Sequence, residues 1–266
     1  MTARPRASCS AQRPELTEVA KATFFAWLTY AGVTLAGAFV AKNALMAVAL
    51  QALFAEWGAG RMAVAWNDPR CPVPGTSRVA QVTAQGVALG LGLTTLAVAL
   101  VLLGGAATLS VAPAPWQALV GLWPAALAAV RDELLLHGML IRVFSGALPV
   151  RALMVGGGLA SAAAGLGDPS SSLMQALVAG LAGACFTSLW LRDRGAWRAV
   201  GAHAGWLWGS GTLARGALLD VHARPGWWAG GDRGPAAAPA TALLLLVVAA
   251  VGYALIERDA QRSFRA

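Results

Sequence analysis

One short segment of an otherwise apolar chain, RDELLLH at positions 131–137, concentrates ionisable residues. On a helix Glu133 and His137 are four residues apart and share a face, whereas Asp132 points about 100° away. Ionisable groups inside a membrane-spanning helix are costly and by default mark a functional site. Carboxylates beside an imidazole indicate general acid–base chemistry. A buried ion network that only holds helices together is the structural alternative.

Two further candidates lie elsewhere in the sequence. His203 stands in GAHAGW at 201–206, early in an apolar stretch, where it is either a catalytic group or a hydrogen-bonding residue of the helix interior. Asp168 stands in GLGDP at 165–169, where it is either a site residue or a turn residue before Pro169.

The composition predicts what must position these residues. The chain has 266 residues, of which 58% are hydrophobic and only 12% charged. Soluble domains carry about 25% charged residues, and disordered chains are far less apolar. The sequence therefore predicts an all-α fold, a polytopic bundle of membrane helices. Its three cysteines, Cys9, Cys71 and Cys185, show neither metal-ligand spacing nor a disulfide framework.

The apolar runs predict about eight transmembrane helices, since a spanning helix needs roughly 20 apolar residues. We expect them at 22–41, 43–60, 86–110, 114–143, 150–167, 172–191, 197–218 and 237–256. Proline-rich 58–85 is predicted to be a loop, 167–172 a turn and 219–236 a polar interfacial segment. One membrane domain then covers 22–256, between an N-terminal segment at 1–21 and a tail at 257–266.

The basic residues predict the orientation of this bundle. With both termini in the cytoplasm, 15 of the 20 basic residues lie in cytoplasmic segments, 4 lie on the other side and Arg131 lies within a span. The cytoplasmic set is Arg4, Arg6, Arg13, Lys21, Arg61, Arg70, Arg78, Arg142, Arg151, Arg192, Arg194, Arg198, Arg258, Arg262 and Arg265, and the opposite set is Lys42, Arg215, Arg224 and Arg233. This bias is typical of a multi-pass protein of the bacterial inner membrane. It accounts for the net charge of +8 without a nucleic-acid partner.

Three sequence strings resemble motifs of one protein family. DELLLHG at 132–138 resembles a Glu-Glu-x-x-x-Arg-Gly motif, and LASAAAGLGD at 159–168 resembles the region of a Phe-x-x-x-His motif. LWLRDRGAW at 189–197 resembles a turn that precedes the His of a third motif, and that His corresponds to His203. Together they resemble the CPBP family, the CAAX-protease and bacteriocin-processing group of intramembrane proteins, over about 114–210.

The resemblance implies an eight-helix bundle and a glutamate-dependent endopeptidase. Asp132 takes the place of the first Glu, which activates water in the family, and Glu133 matches the second. His137 replaces the Arg, and Asp168 replaces the second-motif His, while Ala164 stands at its Phe. His203 keeps the third-motif His, and Leu207 replaces the Asn that follows it. Losing one oxyanion donor such as this Asn typically lowers a rate about 10²–10³-fold.

The resulting hypothesis is a divergent CPBP-type intramembrane endopeptidase that cuts membrane-anchored or lipid-modified proteins without a cofactor. Asp132 or Glu133 would be the general base for water, and His203 would donate to the oxyanion. His137 would orient a carboxylate, and Asp168 would hold the water.

Three alternatives remain open. Glu133, His137, Asp168 and His203 are acceptable ligands for Zn²⁺. GLGD at 165–168 matches a string of intramembrane aspartyl proteases, with Asp132 as the second aspartate. A binding or chaperone module for membrane proteins, with its catalytic groups lost, is the non-enzyme alternative.

Overall fold

The computed structural model describes residues 16–40, 43–61, 64–68, 71, 74–111, 114–144, 146–167, 171–224, 228 and 230–265. Most of them are helical. The helices are α1 (Leu16–Val40), α2 (Ala44–Arg61), α3 (Thr76–Leu103), α4 (Pro115–Asp132), α5 (Met139–Phe144), α6 (Val150–Leu166), α7 (Leu173–Asp193), α8 (Trp197–Trp208) and α9 (Pro239–Arg265). A π-helical turn, Glu133–Gly138, joins α4 to α5, and a second one, Gly209–Leu213, continues α8. A 3-10 turn, Gly231–Ala237, precedes α9.

Each of the predicted apolar runs overlaps one of these helices or helical segments joined by a π-helical turn. The ends follow ordinary capping chemistry. α7 begins with a capping box, in which Ser172 Oγ accepts from the Gln175 backbone N–H at 3.2 Å and Gln175 Oε1 accepts from the Ser172 backbone N–H at 2.9 Å. The helix ends at Asp193, and its C-terminal capping residue Arg194 adopts the left-handed conformation with φ 53°. This tight ending lets α8 begin three residues later.

The described chain is mostly helical, as predicted, and it also contains one short two-stranded sheet. Ala107–Val111 (β1) pairs antiparallel with Leu219–Ala223 (β2), so that Leu109 lies opposite Val221. The predicted span 86–110 therefore ends early, because α3 stops at Leu103. The break comes at a glycine pair, where Gly105 has a φ of 65° that glycine adopts without steric cost.

The loop predicted at 58–85 is also wrong over its last ten residues. α3 begins at Thr76, directly after Gly75, and the prolines of this segment all precede it. With 28 residues, α3 is about 42 Å long at 1.5 Å per residue. That length exceeds the roughly 30 Å hydrocarbon core of a bilayer, so the polar start of α3 extends beyond it.

Three helical segments of the described chain are long and apolar enough to cross a membrane: Thr76–Leu103, Leu173–Asp193 and Pro239–Arg262. Large apolar side chains also remain exposed on the outside of the bundle, among them Leu159 and Trp123, at 66% and 67% exposure. Such faces suit lipid rather than water. The prediction of eight spans is a finer statement, and it stays a prediction.

Glycines bring α3 and α8 into backbone contact. A Cβ placed on Gly90 of α3 would overlap the carbonyl oxygen of Ala202, and one on Gly205 of α8 would overlap the carbonyl oxygen of Val87. Small residues allow this close approach of membrane helices. The contact fixes α8, and with it His203, which lies between Ala202 and Gly205.

Candidate active site

The polar interior of the bundle centres on the π-helical turn after α4. All six residues of this turn are buried, and single π-helical turns occur frequently at functional sites. Glu133 and His137, which were expected to share a helix face, lie close together, with Glu133 Oε2 3.0 Å from His137 Nδ1. Helices α6, α7 and α8 close over this turn and contribute the remaining contacts.

Glu133 is completely buried, and protein groups surround its carboxylate. Oε1 lies 2.8 Å from His203 Nδ1, and Oε2 accepts from the Trp190 indole N–H at 2.6 Å. The contact with His137 on Oε2 completes the set. A buried carboxylate is tolerated only when donors replace its lost water. The Trp190 and His203 rings do so here, and they tie α7 and α8 to the π-helical turn.

Asp132, one residue earlier, lies in a different environment. Its side chain is 15% exposed, and Oδ1 lies 2.6 Å from Arg131 Nε. Arg131 in turn donates to Gln51 Oε1 at 2.6 Å and stands over the Tyr30 ring, 5.6 Å from its centroid. The ion pair thus holds Asp132 from the side of α1 and α2, and the aspartate lines an adjacent cavity.

This cavity has a volume of about 430 Å³. Its polar wall includes Asp132, Arg131, His203 and Ser161. Its apolar wall comes from the π-helical turn, α6, α7 and α8, with Leu136, Ala164, Ala182, Phe186 and Leu207 among the lining residues. A carboxylate and an imidazole that face one apolar-walled space form an arrangement suited to proton transfer to a bound substrate.

His203 is held from two sides. Its Nδ1 contacts Glu133, and its ring stacks on Phe186 with centroids 4.5 Å apart and planes 19° from parallel. The imidazole orientation is therefore determined before any substrate arrives. Leu207, one turn further along α8, lines the same cavity where the family motif has Asn, so the cavity has an apolar side chain in that place.

His137 is fully buried and contacts a residue that the sequence did not single out. Its Nε2 lies 2.9 Å from Ser161 Oγ on α6. Sequence reasoning also missed Trp190, the donor to Glu133. Both missed residues lie inside the strings that carried the family resemblance, but a lone Ser and a Trp in an apolar run offer no signal of a buried contact.

The structure brings together four of the five predicted site residues: Asp132, Glu133, His137 and His203. The fifth, Asp168, lies outside the described residues. The aspartyl-protease alternative depends on the same Asp168, so the structure does not describe its decisive residue. For the zinc alternative, the described part of the chain contains no group of three His, Cys, Asp or Glu side chains placed to hold a metal ion.

Residues 114–209 match the family model described as Type II CAAX prenyl endopeptidase Rce1-like. We call residues 114–209 the Rce1-like region. The match confirms the predicted resemblance, and its limits nearly coincide with the predicted 114–210. No curated protein and no solved structure matches the chain.

The Rce1-like region begins just before α4 and ends at the start of the second π-helical turn. It therefore contains the whole network around Glu133, together with Asp132 and Ser161. Arg131 reaches outside it for its partner Gln51 on α2. The family match and the membrane-capable helices together make the chain an integral membrane protein.

Proposed function

We propose that the protein is an intramembrane endopeptidase in which Asp132 activates a water molecule in the 430 Å³ cavity. One observation carries this proposal: Asp132 faces the cavity, whereas Glu133 is sealed by three side-chain contacts. A general base must reach the proton that it removes. Of the two carboxylates, Asp132 meets that condition.

Glu133 then serves as a positioning residue. A carboxylate that contacts Nδ1 of an imidazole fixes the orientation and tautomer of the ring. Glu133 does this for His203 and leaves the Nε2 edge of that ring for the cavity. His203 in its protonated form donates from Nε2 to the oxyanion of the tetrahedral intermediate, next to the water that Asp132 activates.

The apolar wall of the cavity supports membrane-anchored or lipid-modified proteins as substrates. Seven apolar residues from four neighbouring helical segments line the space beside Asp132. An apolar peptide or a lipid chain loses its contact with surrounding lipid and gains contact with this wall. The Rce1-like region supports the same substrate class, because the family description names a CAAX prenyl endopeptidase.

The charge distribution supports a topology for this enzyme. We place eight spans in a bacterial inner membrane with both termini in the cytoplasm, because 15 basic residues then lie inside and 4 outside. Site-directed cysteine labelling from each side of the membrane tests this arrangement. A label that reaches position 258 only from the outside contradicts it.

The function is tested by comparing membrane-protein termini in cells that lack the gene. One culture carries the wild type, one carries Asp132→Asn, and one carries Asp259→Asn, whose target is an exposed aspartate on α9. At matched abundance, new termini should appear with the wild type and the Asp259→Asn control and be absent with Asp132→Asn. Identical termini in all cultures, including cells without the gene, contradict a peptidase.

The binding-module alternative is supported by one observation, the apolar Leu207 at the position of the family's Asn. A cavity without that donor stabilises an oxyanion less well. Under this alternative, Asp132→Asn rescues the phenotype of the deletion as fully as the wild type does. A peptidase requires that the substitution fail to rescue.

A further inference from the structure

A second set of side chains at the cavity wall has the order of a nucleophile, a base and an orienting carboxylate. Ser161 Oγ lies 2.9 Å from His137 Nε2, and His137 Nδ1 lies 3.0 Å from Glu133 Oε2. The two contacts use opposite nitrogens of one imidazole. Serine, histidine and a carboxylate in this sequence of contacts are recognised as a triad by geometry, whatever their order along the chain.

Ser161 differs from three other helix hydroxyls of the bundle. Thr187, Ser188 and Ser210 each donate to a backbone carbonyl three or four residues earlier, at 2.6–2.8 Å. That is the ordinary way for a hydroxyl to be satisfied inside a membrane helix. Ser161 instead has an imidazole nitrogen as its partner. It also lines the cavity that holds Asp132 and His203, so a substrate can reach it.

The proposed base requires one tautomer of His137, with the proton on Nδ1 and Nε2 left as the acceptor. Glu133 faces ring N–H positions of Trp190 and His203, which is the environment of an ionised carboxylate. Its Oε2 lies beside His137 Nδ1, and an adjacent carboxylate keeps the proton on that nitrogen. Nε2 of His137 is then the acceptor for the hydroxyl proton of Ser161.

We propose that Ser161 is a nucleophile for acyl transfer, with His137 as its general base and Glu133 as the positioning residue. Ser161 Oγ adds to the carbonyl carbon of an ester or amide, and its proton passes to His137 Nε2. The bond from carbon to the leaving alcohol or amine then breaks, and His137 returns the proton to the leaving group. Water adds to the acyl-serine and loses its proton to His137, and the collapse releases a carboxylic acid and restores the hydroxyl.

This activity shares the cavity of the proposed endopeptidase but does not use Asp132 as a base. It also gives His137 a chemical reason to occupy the position where the family motif has Arg. An arginine cannot accept a proton from a serine, because its guanidinium stays protonated, whereas imidazole can. The family's first motif would thus have acquired a base for a serine that lies on the next helix.

The test is covalent labelling of the full-length protein in detergent micelles with a small alkyl fluorophosphonate. Ser161 Oγ attacks phosphorus, fluoride leaves, and the serine proton goes to His137. Peptide mass spectrometry should find one phosphonyl adduct, at Ser161. The adduct should be absent in Ser161→Ala and should form about 10²–10⁴-fold more slowly in His137→Gln, the usual contribution of a general base.

A matched control tests whether labelling is specific to Ser161. Ser210→Ala, which removes a hydroxyl bonded to its own helix, should label like the wild type. If the wild type takes no label, or takes it at another serine, the proposal that Ser161 is a nucleophile is wrong. That result does not affect the proposed peptidase, which the comparison of membrane-protein termini tests separately. A thermal melt of each variant identifies misfolding, and because the adduct is mapped in the wild type, the result does not depend on the variants folding.

Discussion

Asp132 and Glu133 are adjacent in sequence and lie in opposite environments. Glu133 has no exposed surface and contacts two imidazoles and an indole. Asp132 keeps 15% of its side chain exposed and lines a cavity. A step of one residue on a helix turns the side chain by about 100°. The comparison shows that two adjacent carboxylates of one motif can lie in opposite environments, one enclosed by protein side chains and the other lining a cavity.

The two environments differ because different helices pack on each side of the segment that carries Asp132 and Glu133. On the side of Glu133, α7 brings Trp190 and α8 brings His203, and these large rings fill the space and donate to the carboxylate. On the side of Asp132, α1 and α2 bring Tyr30 and Gln51 to Arg131 rather than to the aspartate. The aspartate therefore keeps a free side toward the cavity.

The largest effect on stability is expected at the sealed carboxylate. Glu133→Ala removes the buried carboxylate that contacts the Trp190 indole and the imidazoles of His137 and His203, and removing one partner of a buried ionic network typically costs about 3–5 kcal/mol of unfolding free energy. Unfolding in detergent followed by tryptophan fluorescence measures the loss. The matched control is Glu56→Ala, because Glu56 also accepts from an indole, that of Trp66 at 3.0 Å, but is exposed. Equal losses in both variants would contradict the importance of burial.

A smaller loss of stability is expected from a substitution in the contact between α3 and α8. Gly90→Ala places a methyl group against the carbonyl of Ala202 next to His203, and overpacking of this kind costs about 1–3 kcal/mol. The shift of α8 should also lower hydrolysis, since His203 moves relative to Asp132. Gly92→Ala on the same helix is the control, because no atom lies within 4 Å of its added Cβ. There the substitution should be neutral or stabilise by up to about 1 kcal/mol.

Asp132→Asn should change stability by only about 1 kcal/mol, because the amide oxygen still accepts from Arg131 and the site is partly open. Its effect on hydrolysis should be much larger, a fall of about 10²–10⁴-fold, as for the loss of a general base. Melting temperature and cleavage rate measured on the same preparation give both values. A normal cleavage rate with this variant would remove Asp132 from the mechanism.

The smallest effect is expected from metal removal. Because the geometry proposed for both carboxylates uses protein donors, treatment with a chelator should leave cleavage and melting temperature unchanged. Zinc content is measured by elemental analysis of the purified protein before and after treatment. Stoichiometric zinc together with chelator-sensitive cleavage would instead support the zinc alternative at Glu133, His137, His203 and Asp168.

Much of the helical framework could be predicted, because hydrophobic runs of spanning length are a local signal. The errors came where local and tertiary signals compete. The polar start of α3 resembles a loop but continues the helix, and Ala107–Val111 resembles the end of a span but pairs with a strand more than a hundred residues away. No local pattern shows that pairing, since its partner lies beyond five intervening helices.

The sequence by itself determined the membrane character of the chain, the positions of its helices and the motif that identifies the Rce1-like region. It also placed Glu133 and His137 on one face, because spacing along a helix decides that. Only the tertiary structure decided which carboxylate is sealed and which faces the cavity, and that His137 meets Ser161. Those outcomes depend on which side chains of α6, α7 and α8 reach the π-helical turn. Packing between helices that are distant in sequence determines these contacts, and residue spacing within one helix does not specify them.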